Sequence, residues 1–123
     1  IFLAFYSKEG VLKFTTNIGN EGFETASALF ERADGTLVLL GHQAPLGMSS
    51  QESFLTNNLF LAHTLGNGSV INTYTLKGNG LDIPYGIRED KTGKIYVVGS
   101  TESSAGNFPN SRGGKDIFVT KWH

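Results

Sequence analysis

Three histidines, His42, His63 and His123, are the side chains best suited to acid–base chemistry or metal binding. Histidine changes charge near neutral pH, and its neutral ring nitrogens bind transition metals. A metal site needs at least two converging ligands, commonly two residues apart on a strand or four apart on a helix. The three histidines are far apart in the chain, and none has a carboxylate within two residues. The sequence therefore favours structural or exposed histidines and predicts neither a metal nor another cofactor.

Carboxylates are the second candidates for chemistry, and they occur at Glu31, Asp82, Glu89, Asp90 and Asp116, among other positions. A glycoside hydrolase needs two carboxyl groups roughly 5–10 Å apart across a cleft. No spacing in this chain selects such a pair, and no Asp-x-Asp-x-Asp-Gly run predicts a calcium loop. Structural, exposed carboxylates are favoured, and a glycan-processing hydrolase or lyase remains the alternative.

Nucleophile and phosphate motifs are missing from the sequence. It has no Gly-x-Ser-x-Gly elbow, no Walker loop and no Gly-x-Gly-x-x-Gly. It also has no cysteine, which excludes disulfides, thiolate metal sites and cysteine nucleophiles. The glycines at 66–68 and 78–80 flank asparagines in short segments typical of turns. The sequence therefore predicts no catalytic residue.

Composition limits the partners of this 123-residue chain, a length that fits one domain. Its 10 Lys and Arg balance 11 Asp and Glu, so a formal charge of −1 predicts no binding to nucleic acid or anionic lipid. The longest apolar run, residues 1–6, is far shorter than the ~20 residues of a membrane helix, so no membrane insertion is expected. Because the sequence starts at Ile1 rather than Met, we expect that something upstream has been removed.

A repeat of 58 residues organises the whole chain. Phe2-Leu3-Ala4 recurs as Phe60-Leu61-Ala62. Four glycine pairs agree in the same ungapped register: Gly10 with Gly68, Gly22 with Gly80, Gly35 with Gly93, and Gly41 with Gly99. The sequence thus predicts a first unit at 1–58, a second unit at 59–116, and the first strand of a third at 117–123. We expect Phe2, Phe60 and Phe118 to occupy equivalent buried positions, as Leu39 and Val97 should.

Each unit is predicted to contain four short strands. In the first unit they cover 1–7, 11–18, 24–32 and 36–40, and in the second 59–65, 69–76, 82–90 and 94–98. The fourth strands are rich in Val, Ile and Leu, and we expect Gly41 and Gly99 to end them. A helix over 24–32 is a minor alternative, weakened by Pro84 in the equivalent segment.

Tandem four-stranded units are typical of β-propeller blades. The sequence therefore predicts an all-β, β-propeller-like fold, with one four-stranded antiparallel sheet per unit and one extra strand. Two units would leave apolar faces at both ends. We therefore expect a segment of a larger protein or a chain that assembles with others.

Four segments resemble a known family. Residues 115–122 (Lys-Asp-Ile-Phe-Val-Thr-Lys-Trp) are similar to the Asp-x-Phe-Val-x-Lys opening of the bacterial seven-bladed-propeller repeat family often called SBBP. Residues 94–101 resemble its Gly-Asn-Val-Tyr-Val-x-Gly-x-Thr segment, and Asn107-Phe108-Pro109 resembles its Asp-Phe-Pro. Residues 6–14 are similar to its turn and second strand, with Phe14 where Trp is usual. The resemblance covers the whole chain but is weaker in the first unit, where residues 44–48 replace the Phe-Pro region.

The resemblance implies a propeller fold and an extracellular or bacterial cell-surface location. It implies no catalytic residues, because the family is chiefly a structural and binding module. A surface lipoprotein in an outer-membrane assembly would fit.

Two long polar connections, 42–57 and 100–115, occupy equivalent places in the units and should emerge on one face. We expect partner contacts there from these residues: His42, Gln43, Ser100, Thr101, Phe108 and Arg112. The competing interpretation is that Phe54 and Phe108 pack between adjacent blades, and it is the favoured one for these two side chains.

Three functional hypotheses remain open. The favoured one is a non-catalytic binding or scaffolding segment of a larger surface or secreted propeller, with a protein or glycan ligand. The second is the glycan-processing enzyme, with its site on the propeller face. The third is an assembly element whose blades complete a ring with blades of other chains.

Overall fold

Nine β-strands make up the regular structure of the chain in a computed structural model that describes residues 1–19, 22–49, 51–52 and 55–123. The strands are β1 (Phe2–Tyr6), β2 (Leu12–Asn17), β3 (Glu24–Glu31), β4 (Leu37–Gln43), β5 (Asn58–Thr64), β6 (Val70–Leu76), β7 (Asp82–Glu89), β8 (Ile95–Thr101) and β9 (Asp116–Trp122). Across these ranges there is no helix with the length and apolarity needed to cross a membrane.

The strands form three antiparallel sheets. The first sheet is β1–β2, the middle sheet is β3–β4–β5–β6, and the third sheet is β7–β8–β9. The prediction of an all-β fold is therefore confirmed, and the helix considered for 24–32 is the strand β3. Pro84 is tolerated because β7 lies at the edge of its sheet, where a missing amide proton breaks no ladder. Within the described ranges the three sheets do not close into a ring.

The 58-residue repeat is present in the pairing registers. In the middle sheet Leu37 of β4 faces Thr64 of β5, and in the third sheet Ile95 of β8 faces Trp122 of β9. Each of these positions is 58 residues from its counterpart. The bulges recur in the same way, after Ala26 in β3 and after Pro84 in β7. The two units therefore form the same strand pairs with the same irregularities.

The grouping of strands into sheets differs from the prediction of one sheet per unit. The middle sheet takes β3 and β4 from the first unit and β5 and β6 from the second. The physical reason is burial, because β4 and β5 are apolar on both faces and nearly all of their side chains are covered. Such strands belong at the centre of a sheet that is covered on both sides. The boundary at residue 58 consequently falls in the middle of a sheet.

The sheets stack face to face, with the middle sheet between the other two. One face of the middle sheet packs on the first sheet through a cluster of Ile18, Leu39, Phe60 and Ala62, joined by Ile1 and Leu3. The other face packs on the third sheet through a larger cluster of Val38, Leu40, Leu59, Leu61, Ile87, Val97, Phe108 and Phe118. Hydrophobic burial between sheets therefore holds the three together.

The three phenylalanines of the repeat are not equally buried. Phe60 is 2% exposed and Phe118 is 8% exposed, whereas Phe2 is 69% exposed. The predicted burial of Phe2 is therefore wrong, because no described sheet covers its face of the first sheet. Leu39 and Val97 are both buried, as predicted.

Gly41 and Gly99 lie inside their strands and do not end them. A Cβ atom on Gly41 would lie 2.3 Å from the backbone oxygen of Thr25 and 2.7 Å from the Phe60 ring. A Cβ atom on Gly99 would lie 2.3 Å from the Ile83 oxygen and 2.6 Å from the Phe118 ring. The two glycines therefore make room for a neighbouring carbonyl and an aromatic ring, and the strands continue past them.

We expect Gly99→Ala to destabilise the protein by about 2–3 kcal/mol, because the backbone oxygen of Ile83 cannot move away easily. Gly86→Ala is the matched control, since its Cβ would meet only Val98 at an ordinary 3.4 Å. That variant should stay within about 0.5 kcal/mol of the parent. Urea unfolding measures both, and equal stability of the two variants would contradict the close packing around Gly99.

Candidate functional site

Four of the predicted contact residues lie at the ends of two equivalent strands. His42 and Gln43 are the last residues of β4, and Ser100 and Thr101 are the last residues of β8. They belong to strands and not to the long connections, which span 44–57 and 102–115. The prediction that the connections begin at 42 and 100 is corrected by two residues, because both strands continue past their glycines.

His42 is half-buried in β4, between Thr25 of β3 and Leu59 of β5. Its buried Nδ1 atom has no hydrogen-bond partner among the described residues, and burial lowers the pKa of the ring. Burial therefore favours the uncharged form of the His42 ring, and no carboxylate in the described ranges forms a hydrogen bond or ion pair with it. Gln43 beside it pairs with Glu24 and Asn58 across the sheet.

A buried carboxylate, Asp82, is the centre of the polar structure at the end of β8. The Thr101 hydroxyl donates to Asp82 Oδ1 at 2.5 Å, and the Ser103 hydroxyl donates to Asp82 Oδ2 at 3.0 Å. The Ser103 amide donates back to Thr101 Oγ1 at 3.0 Å, and the Gly80 amide donates to Ser103 Oγ at 2.9 Å. Asp82, Thr101 and Ser103 are all buried, and burial raises the pKa of Asp82. Thr101 therefore has a structural role as a hydrogen-bond donor to Asp82.

Hydrogen bonds fix the 102–115 connection to Lys77 and Asn79, which follow the end of β6 in the middle sheet. The Asn107 amide donates to the Lys77 carbonyl at 2.8 Å, and the Lys77 amide donates to Asn107 Oδ1 at 2.8 Å. The Ser104 amide donates to Asn79 Oδ1 at 2.8 Å. Paired bonds of this kind hold the connection in one position against the neighbouring sheet.

Phe108 lies in the core between the middle and third sheets. Its ring centroid is 5.3 Å from that of Phe118, in a tilted arrangement, and the residue is buried. Phe108 therefore packs between adjacent sheets, which is the favoured interpretation of the sequence for this residue. Phe54, named with it, lies outside the described residues. Ser100 is also buried, and its hydroxyl lies 3.0 Å from the Tyr85 hydroxyl.

A crevice of about 410 Å³ opens between the 102–115 connection and the start of β9. Arg112 is exposed at this crevice, and its backbone amide donates to Asp116 Oδ2 at 2.7 Å. The Ser111 hydroxyl lines the same crevice, is buried and has no hydrogen-bond partner in the described part of the chain. The polar lining residues are Thr101, Asn107, Asn110, Ser111, Arg112 and Asp116, and the apolar ones are Phe108, Pro109, Ile117, Phe118 and Val119. Such a lining can hydrogen-bond a polar ligand.

Two further chemical candidates, His63 and Glu89, have structural partners. The Nε2 atom of His63 lies 2.9 Å from the Thr36 hydroxyl. Glu89 forms an ion pair with Arg32 that joins the third sheet to the middle sheet. Throughout the described ranges there is no group of three or more His, Cys, Asp or Glu residues that could hold a metal ion.

Sequence reasoning expected Asp82 to be an exposed structural carboxylate, whereas it is fully buried, and it missed Ser103 and Asn107 as members of this structure. Asp82 opens β7 at the position that Glu24 occupies in β3, so an acidic residue begins both strands. That recurrence is the signal that could have identified it. Nothing in the sequence alone indicated that Ser103 and Thr101 would both reach this carboxylate.

No protein-family model, curated protein or solved structure matches this chain.

We expect Asp82→Ala to reduce the free energy of unfolding by about 2–4 kcal/mol, because the variant leaves two buried hydroxyls without their acceptor. Glu102→Ala is the control, since Glu102 lies beside this structure but its side chain is exposed. Chemical denaturation measures both variants. A loss for Asp82→Ala no larger than for Glu102→Ala would contradict the structural role of the carboxylate.

The pKa values of two aspartates should be shifted in opposite directions from the ordinary value of 3.8, upward for Asp82 and downward for Asp90. Hydrogen bonds from the Thr92 hydroxyl, the Lys94 and Thr92 amides and the Tyr96 hydroxyl lower the pKa of Asp90 to about 2. The stability that Asp90 contributes is therefore complete above its unfolded pKa and is lost as the pH falls through about 2. For Asp82 the pH dependence of stability is the opposite. Because its pKa is raised in the folded protein, protonation of Asp82 favours the folded state, and this contribution is lost as the pH rises through that pKa.

Carboxyl chemical shifts measured by NMR across this pH range test the pair. The Asp90 midpoint should lie below 3.8 and the Asp82 midpoint above it. Coinciding midpoints would contradict the hydrogen-bonding and burial described for the two sites. Asp90→Asn should make the loss of stability between pH 4 and 2 less steep, measured by denaturation at each pH.

Proposed function

We propose that the chain is a non-catalytic binding or scaffolding segment of a larger β-propeller protein that is secreted or displayed on a bacterial surface. The observation that carries the proposal is the 58-residue period in both the strand registers and the sheet stacking. The resemblance of residues 94–101 and 115–122 to the SBBP repeat family supports the same reading.

The middle sheet has the features expected of a propeller blade. It has four antiparallel strands, and both of its faces are covered by neighbouring sheets. In this arrangement the first sheet supplies the last two strands of one blade, and the third sheet supplies the first three strands of another. Each blade joins strands from two consecutive units, so neighbouring units are linked by hydrogen bonds as well as by packing.

Binding is assigned to the crevice beside the 102–115 connection. The connection is held by the Asn107–Lys77 bonds, and the Asp82 carboxylate beneath it fixes Thr101 and Ser103. A site on a fixed backbone loses little conformational entropy when a ligand binds. The polar lining around Arg112 suits a ligand rich in hydroxyl groups, so a glycan is the favoured ligand and a protein is the other class.

An NMR titration of the labelled chain with soluble glucan, chitin and muropeptide oligosaccharides tests the proposal. We expect amide shifts at Thr101, at 107–112 and at Asp116, and at least a five-fold loss of affinity in Arg112→Ala. Arg88→Ala is the control, since this exposed arginine lies on β7 and outside the crevice. Shifts confined to other parts of the chain, or no shift with any probe, would contradict the assigned glycan site.

The same samples distinguish binding from catalysis. A non-catalytic segment leaves the oligosaccharides intact, so the concentration of reducing ends should stay constant during the titration. New reducing ends or unsaturated products that depend on the chain would overturn the proposal in favour of a hydrolase or lyase.

A further inference from the structure

Each interface between sheets in this molecule places one phenylalanine against two aliphatic side chains of the preceding sheet. Phe60 of the middle sheet lies in one cluster with Leu3 of β1 and with Ile1, which directly precedes β1. Phe118 of the third sheet lies in the other cluster with Leu59 and Leu61 of the middle sheet. The aliphatic residues precede each phenylalanine by 59 and 57 positions in both cases, so one type of contact is built twice.

The outer faces of the stack carry the two halves of that same contact. Ile117 and Val119 of β9 are the counterparts of Leu59 and Leu61, but they are 82% and 69% exposed. Phe2, the counterpart of Phe60 and Phe118, is the exposed phenylalanine at the other end of the stack. Val98 is likewise exposed, although its counterpart Leu40 is fully buried against the third sheet.

We propose that these faces bind each other between two copies of the chain, in a head-to-tail arrangement. Phe2 of one copy packs against Ile117 and Val119 of the next, which repeats the contact that Phe60 and Phe118 make within one molecule. Burial of these side chains is the driving force, and a net charge of −1 opposes it only weakly. The contact joins two different surfaces, so successive copies close into a ring or extend as a linear assembly.

The interfaces inside the molecule indicate which partner covers the exposed face of Ile117 and Val119. The face that holds Ile117 and Val119 corresponds, position by position, to a face that the next sheet of the same repeat covers inside the molecule. A sheet of this repeat is therefore the partner that fits, and the first sheet of a second copy offers one with its phenylalanine exposed. This inference rests on the stacked-sheet part of the proposed function. Because Ile117 and Val119 also line the crevice at Arg112, docking and a bound glycan would compete for this face.

Sedimentation velocity over a micromolar to millimolar range tests the association. The parent chain should show a mass that rises with concentration above the 13.3 kDa of one copy. Val119→Lys should abolish the rise, because it places a charge in the docking face. Leu46→Lys is the control, since Leu46 is 70% exposed and lies in the 44–57 connection. A parent chain that stays monomeric throughout, or an equal loss in the control, would overturn the proposal.

Mixing two variants tests the head-to-tail geometry. Phe2→Lys keeps the Ile117 face, and Val119→Lys keeps the Phe2 face, so each variant alone should be monomeric. Their mixture should form a one-to-one dimer that does not grow further, since its remaining faces are blocked. If Phe2→Lys alone associates as strongly as the unsubstituted chain, two Ile117 faces pair with each other. That result would contradict the proposal.

Hydrogen exchange of the parent chain gives a readout that needs no variant. Amides of β1 and β9 should gain protection as concentration rises, whereas those of the buried β4 and β5 should not change. Unchanged protection in β1 and β9 would contradict docking through these faces. These exchange samples contain no oligosaccharide, so they report on docking even where the glycan titration shows no binding.

Discussion

The contact between a phenylalanine ring and the glycine opposite it is the interaction on which the stack depends. Gly41 pairs with Phe60 across β4 and β5, and Gly99 pairs with Phe118 across β8 and β9. Any side chain at either glycine would overlap the ring. The ring can therefore lie over its partner strand and fill the space between two sheets, which is where most of the apolar burial occurs.

Much of the secondary structure was predictable, because alternating apolar residues and turn glycines determine strands locally. All eight strands predicted for the two units occur within two or three residues of their expected bounds. The grouping of strands into sheets was not predictable in the same way. Pairing between β4 and β5 is decided by which strands are covered on both faces, and that depends on neighbouring sheets. The exposure of Phe2 has the same origin.

The candidate site shows the same division between local and long-range information. The equivalence of Ser100 and Thr101 to His42 and Gln43 followed from the repeat, but their place inside β8 did not, because Gly99 was expected to end the strand. The burial of Phe108 matched its apolar character. The role of Asp82 did not follow, because its partner Ser103 is 21 residues away and is brought near by a connection of fixed shape. The polar lining at Arg112 and Ser111 likewise depends on how that connection folds back on β9.

The chemical shifts of the glycine α-protons measure the central contact most directly. A ring stacked on Gly41 and Gly99 shields their α-protons, so both should be shifted upfield in the NMR spectrum, with nuclear Overhauser contacts to Phe60 and Phe118. Gly86 serves as the internal reference, since only Val98 lies near it. Unshifted α-protons at both Gly41 and Gly99, without contacts to the rings, would contradict the account.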